Sequence, residues 1–258
     1  MGNGIRRSTG CRLGVRRVKP HYRDEHVTVY NADMATVLAG LDDKSVAAVI
    51  TDPPYTERTH TGARSQWKKT KHDEAVITAP IGFDAVTDEQ LAGYLAECGR
   101  VSRGWVVSHL DYRQAVAFDI DPPPGLRMMR VGVWVKPAPM PQLTGDRPAQ
   151  GWEAIAYLHR TDCRPRWNGG GAAGNYVLDR DRNHRVLTGN PTEKPIALTR
   201  DLVRKFTNSG DTILDPFAGS GTTLRAAIDE GRNAIGVEVD PYWCDFIARR
   251  VGQMVLDL

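Results

Sequence analysis

The 258-residue chain has no apolar run approaching 18 residues, the length a membrane-crossing helix needs, so the sequence offers no spanning segment. Its first residues lack the apolar stretch of a secretory leader, although Arg6, Arg7, Arg12, Arg16 and Arg17 crowd there. Cysteine is sparse. Cys11, Cys98, Cys163 and Cys244 are scattered with no Cys-x-x-Cys pair, which argues against a disulfide framework or a zinc site and for a reduced, cytoplasmic protein. The seven histidines show no ligand spacing, so no metal is expected. Acid is missing altogether from residues 1 to 23, which carry seven basic side chains, while the rest of the chain holds 27 basic against 31 acidic residues. A basic arm over residues 1–25 on a mildly acidic body suits phosphate contact; a disordered leader would have the same composition.

What is present is ordinary core material. Hydrophobic residues make up 41% and charged residues 25%, enough for a single domain over residues 26–258. The stretches 26–30, 46–51, 104–110, 127–135, 152–160 and 233–240 read as strands, with the continuous apolar run "VAAVIT" typical of a strand covered on both faces. Helical periodicity marks residues 34–41, 112–118, 194–207 and the closing segment from Tyr242. Thr87 followed by Gln90 forms a capping box for a helix reaching about Val101. Strands alternating with helices predict an α/β protein with a doubly wound, mostly parallel sheet. Residues 56–82 lack periodicity and read as a loop insertion.

Two stretches carry chemistry. In "ILDPFAGSGTT" (213–223) a strand ends on Asp215, and Gly219 and Gly221 turn the backbone tightly ahead of a helix N-terminus. This is not a nicotinamide fingerprint, because the third glycine position is Leu224. Asp215 would repel a pyrophosphate but could accept a hydrogen bond from an ammonium group. Glu238 ends the next strand, where an acid can accept both hydroxyls of a ribose. Amino acid plus sugar on one scaffold indicates S-adenosylmethionine. The second stretch, "TDPPY" (51–55), ends a buried strand on an acid, two prolines and an aromatic ring. An exocyclic base amine is a poor nucleophile because its lone pair is delocalised. Asp52 and the Pro53 carbonyl could accept its two hydrogens, Pro53 and Pro54 would pre-position those acceptors, and Tyr55 offers a face for an extruded base. Ligands of open α/β sheets collect beyond the carboxyl ends of strands, so the two stretches are expected to meet there.

These residues resemble the β class of amino-methylating DNA methyltransferases. "TDPPY" is similar to the family's catalytic motif, "DPFAGSGTT" to its cofactor motif, "NPTEKP" (190–195) to the segment preceding that motif, and "GVEVD" (236–240) to its ribose-binding strand. "WVKPAPMPQLTGDRPAQGWEAI" is like a segment common among adenine-specific members. The resemblance covers roughly residues 26–250, with the catalytic motif first, as in this class. It implies a Rossmann-like fold with permuted motif order and methyl transfer from S-adenosylmethionine without a covalent intermediate. Catalytic roles would fall to Asp52, Pro53, Pro54 and Tyr55. Asp33, Asp215, Phe217, Gly219, Ser220, Gly221, Thr222 and Glu238 would hold the cofactor, with Thr192 and Lys194 near its methionine end. An initial Asp in the tetrapeptide favours adenine N6 over cytosine N4.

The expected partner is double-stranded DNA. The family also contains homodimers and members of restriction–modification systems, and the sequence identifies neither an interface nor an endonuclease partner. Arg58, Arg64, Lys68 and Lys69, just after the catalytic turn, are candidate DNA contacts. So are Arg164 and Arg166 in a short candidate target-recognition segment, 161–189, for which a solvated loop is the alternative. Cytosine N4 methylation, RNA methylation and a nucleic-acid-binding module without catalysis stay open as alternatives.

Overall fold

The computed structural model describes residues 18–54, 86–139, 141–142, 145–179 and 192–252. Nine strands run in sequence: β1 (Tyr22–Arg23), β2 (Val27–Asn31), β3 (Val46–Thr51), β4 (Ser102–Leu110), β5 (Leu126–Val135), β6 (Trp152–Arg160), β7 (Tyr176–Val177), β8 (Thr212–Asp215) and β9 (Asn233–Glu238). Six helices join them: α1 (Met34–Ala39), α2 (Asp88–Val101), α3 (Tyr112–Ile120), α4 (Ile196–Phe206), α5 (Thr222–Asp229) and α6 (Pro241–Gly252). The strands form one sheet in the order β1-β2-β9-β8-β3-β4-β6-β5-β7. The block from β2 to β4 is parallel, while β6 runs antiparallel to both β4 and β5.

Helices cover both faces, and alternation along each strand divides the core between them. Ile50, Val107 and Ile155 pack with Leu198 and Leu202 of α4, Leu224 of α5 and Ile247 of α6. Their neighbours Val49, Val106 and Ala156 pack with Leu38 of α1, Leu91 and Leu95 of α2 and Phe118 of α3. This double cover explains why "VAAVIT" carries no polar alternation: a strand between two helical layers has no wet face. Helix α2 begins on the expected capping box, with Thr87 and Gln90 each accepting the other's backbone N–H. A second box, Asp111 with Gln114, starts α3 directly beyond the carboxyl end of β4.

The winding fixes where a ligand can sit. From β3 the chain passes through α2 on one face to β4; from β8 it passes through α5 on the other face to β9. The two crossovers leave in opposite directions, so the crevice between the carboxyl ends of β3 and β8 is the switch point of the sheet.

The structure adds two elements to the sequence reading. Strand β1 lies within the 1–25 arm and pairs with β2, and β7 pairs with β5 inside the 161–189 segment. Both are two residues long, too short to show a period. Residues 1–17 of the arm, the 56–82 insertion up to residue 82 and residues 180–189 lie outside the described residues. No helix among the described residues is long and apolar enough to cross a membrane.

Candidate active site

Thr51, the last residue of β3, donates its hydroxyl to Asp215 Oδ1 at 2.8 Å, bridging segments 164 residues apart. Asp52 follows Thr51, so both predicted acids stand at the switch point. Their environments differ. Asp215 is 4% exposed and accepts also from the Phe217 N–H at 3.1 Å and from Thr223. Burial nevertheless pushes its carboxyl up to about 6. Such an acid gains from a cation arriving beside it, which fits an ammonium-bearing ligand.

The glycine turn lies between Asp215 and Glu238. Gly219 and Gly221 have φ of 49° and 79°, left-handed conformations that side chains disfavour, and a Cβ on Gly221 would lie 2.8 Å from Ile247 Cγ1. The turn aims the Gly219 N–H at Glu238 Oε2 (2.8 Å), and the Asp240 N–H reaches Oε1 (2.9 Å). Each carboxylate oxygen can accept a second hydrogen bond, so two sugar hydroxyls suit Glu238. Leu224 also finds its reason here. Close helix–strand approach comes from the strand side, because a Cβ on Gly236 would stand 2.6 Å from Leu224 Cδ2. These residues therefore fit S-adenosylmethionine.

The other expected cofactor residues gather at the same edge. Asp33 caps α1, accepting from the Ala35 N–H at 2.9 Å, beyond the end of β2 that pairs with β9. Phe217 is half-buried against Tyr94, with ring centroids 6.0 Å apart. Ser220 is buried and its carbonyl accepts from Arg250; Thr222 donates to Glu193 at 2.6 Å. Glu193 also accepts from Arg250 at 3.0 Å, which ties the segment before α4 to the glycine turn. Thr192 is exposed. Lys194 has a partner the sequence reading did not name: its ammonium pairs with Asp52 Oδ2.

Around Asp52 the structure assembles charges that the sequence reading did not single out. Lys194 lies 3.4 Å from Glu153 Oε2, and Lys136 pairs with Glu153 Oε1. Burial pushes Asp52 up, opposed chiefly by the Lys194 cation. Burial also raises Glu153, but Lys194 and Lys136 outweigh it and bring the carboxyl down to about 2. His109 on β4 is 6% exposed, is pulled down to about 3 by burial and these cations, and its Nδ1 has no hydrogen-bond partner among the described residues. A signal for Glu153 was present: an acid inside the otherwise buried run "WEAIAYL" requires a partner.

Pro53 is buried and Pro54 half-buried behind Asp52; Tyr55, Arg58, Arg64, Lys68 and Lys69 lie outside the described residues. Arg164 and Arg166 lie away from the two motifs. The Arg166 carbonyl accepts from Trp105 Nε1, and Asn168 binds the carbonyls of Arg204 and Thr207 at the end of α4. This is the amino edge of the strands, and the run from Ser102 to His109 alone spans roughly 23 Å. The structure does not bring these arginines to Asp52, because β6 runs antiparallel to β4 and delivers the chain after it to the opposite edge.

The Type II methyltransferase M.XycI of Xanthomonas campestris pv. cyanopsidis is 26% identical to the chain over 275 residues, 87% of each protein. The DNA adenine methyltransferase YhdJ of Escherichia coli strain K12 is 41% identical over 76 residues, 30% of this chain and 24% of that one. Among solved structures, the cytosine-N4-specific PvuII DNA methyltransferase has a similar fold, with a TM-score of 0.66 at 16% identity over 90% of this chain and 88% of that one. The DNA methylase family model for N6 and N4 enzymes matches residues 46–249. With strand order, switch point and both motifs in agreement, the chain belongs to the N6/N4 DNA methylase family, whose members move a methyl group from S-adenosylmethionine to a base amine.

Proposed function

We propose that the protein methylates adenine N6 in double-stranded DNA, acting on a base swung out of the helix. The observation that carries this reading is the Thr51–Asp215 hydrogen bond, which joins the strand end before Asp52 to the proposed ammonium anchor. Bound S-adenosylmethionine supplies an electrophilic methyl group on a sulfonium. Asp215 would hold its ammonium group and Glu238 its ribose hydroxyls. Asp52 and the Pro53 carbonyl would accept the two amine hydrogens, which disfavours the planar amine and frees its lone pair. Tyr55 would stack on the extruded base, the stack that lets an enzyme reach an atom inaccessible within a duplex. The first-position Asp52 and the local similarity to YhdJ support adenine. Cytosine N4 is the second reading, favoured by the fold shared with the PvuII enzyme.

Incubation with duplex DNA and labelled S-adenosylmethionine, followed by nucleoside analysis, tests the choice. N6-methyladenine is the expected product, and N4-methylcytosine as sole product would refute the assignment. Single-stranded DNA and RNA serve as competing substrates, and preference for either overturns the duplex assignment. Arg58, Arg64, Lys68 and Lys69 are retained as proposed DNA contacts, because they follow the catalytic motif closely in sequence.

A further inference from the structure

The edge that carries Asp52 gathers three more charged side chains from three separate parts of the chain. Lys136 follows the last residue of β5, Glu153 is the second residue of β6, and Lys194 stands two residues before α4. The β5–β6 register brings the first two together: Val135 faces Trp152, and the Lys136 N–H donates to the Gly151 carbonyl at 2.8 Å. The Lys136 ammonium also lies 4.9 Å from the ring centre of the buried Trp134. The result is an alternating row: Asp52, Lys194, Glu153, Lys136. Side-chain exposure along it is 30%, 7%, 18% and 10%, so the Asp52 end is the most open to solvent.

Desolvating charges is costly, and apolar residues of similar volume often hold a core together as well or better. Rigidity alone therefore does not account for a buried four-charge row that ends on the amine acceptor. The row gives Lys194 two carboxylates instead of one. An incoming amine competes with Lys194 for Asp52, and Glu153 at 3.4 Å can keep the ammonium neutralised when the amine takes its place.

We propose that Glu153 is a positioning residue for Asp52, acting through Lys194: it shares the lysine with the catalytic carboxylate and takes up the lysine's charge when the substrate amine binds. This rests on Asp52 being the amine acceptor. Among the described residues, the groups facing Asp52 are Lys194 from the segment before α4, Glu153 from β6, Lys136 after β5 and Asp215 from β8, with His109 from β4 against the same lysines. Of these, Glu153 pushes the Asp52 carboxyl up while Lys194 and Lys136 pull it down. His109, held near 3, stays neutral across the usual assay range.

Two substitutions should consequently move one pH limb in opposite directions. With the full chain, duplex DNA and labelled S-adenosylmethionine, kcat is measured from pH 5 to 9, alongside cofactor Kd by calorimetry and a thermal melt. Glu153→Gln is expected to lower kcat about tenfold, leave cofactor Kd within about twofold, and shift the acid limb to lower pH. Lys194→Met should shift that limb to higher pH, and Glu153→Asp should recover part of the loss. An unchanged kcat and acid limb in Glu153→Gln overturns the proposal; so does a lost kcat with an unmoved limb and no recovery by Asp. Should Glu153→Gln fail to fold, Lys136→Met carries the test: a limb moved to higher pH supports the row, and an unmoved limb overturns it. Asp52→Asn separates the two levels. Full turnover in that variant sinks the role of Asp52 itself, whereas a dead Asp52→Asn beside an indifferent Glu153→Gln sinks only the positioning role.

Discussion

The two edges of the sheet use charge in opposite ways. At the amino edge, Arg103 pairs with Asp211 at 2.7 Å and Lys44 with Asp162 at 3.1 Å, each pair with its basic side chain about half open to water. Exposed pairs of this kind contribute about 0–1 kcal/mol and are weakened further by salt. At the carboxyl edge, Asp215 is sealed among Thr51, Thr223 and the Phe217 amide, and Lys194 is 7% exposed between two carboxylates. Charges placed there sacrifice stability, and the switch point is where a ligand can repay it. The difference teaches where to look for chemistry: at ionisable groups the fold keeps dry at cost, rather than at the more numerous pairs on its rim.

Breaking the carboxyl edge should have the largest effect. Asp52→Ala is expected to reduce methyl transfer about a thousandfold while cofactor affinity, read by calorimetry, stays within about twofold. Turnover within about tenfold of wild type would remove Asp52 from the mechanism.

The next effect is in pH. Asp215 in the folded protein titrates at about 6, above its unfolded value, so the folded state binds this proton more tightly. Its stabilising contribution is full below about pH 4 and is lost as pH rises to about 6, up to about 3 kcal/mol across that window. Denaturant unfolding between pH 4.5 and 7 should show this fall in wild type and not in Asp215→Asn. Cofactor affinity should run the other way, weakening as pH drops below about 6, because protonated Asp215 no longer attracts an ammonium. A pH-independent affinity would place the ammonium elsewhere.

Gly221→Ala should cost about 1–2 kcal/mol, from its left-handed φ and the contact with Ile247, and should weaken cofactor binding at the same time. A thermal melt and a titration separate the two effects. The amino edge supplies the small-effect control. Arg103→Ala is expected to change unfolding free energy by less than about 1 kcal/mol and to leave turnover unchanged. A large loss of activity there would dissolve the contrast between the edges.

Much of this architecture was legible in residue order. The apolar runs of β3, β4, β6 and β9, the Thr87–Gln90 capping box and the helical period of α4 each reflect forces acting within a few residues, and each stands where it was expected. The site was legible as two motifs, and their convergence followed from the rule that ligands gather at a switch point. The row around Asp52 was not. Lys136, Glu153 and Lys194 belong to three segments that nothing local ties together, and Lys194 read as a cofactor residue from its place in "NPTEKP". The place of Arg164 and Arg166 was hidden for the complementary reason: a basic loop declares its charge but not the edge it occupies.

By itself, then, the sequence determined the longer strands, the helices, the tight glycine turn and the acids at the ends of β3, β8 and β9, because hydrophobic period, capping and backbone sterics act over neighbouring positions. The tertiary structure alone decided which charges share a buried space. Pairing in a low-dielectric interior depends on strand order and direction: β8 beside β3 brings Asp215 to Thr51, and β6 antiparallel to β4 carries Glu153 to the catalytic edge and the Arg164 loop away from it.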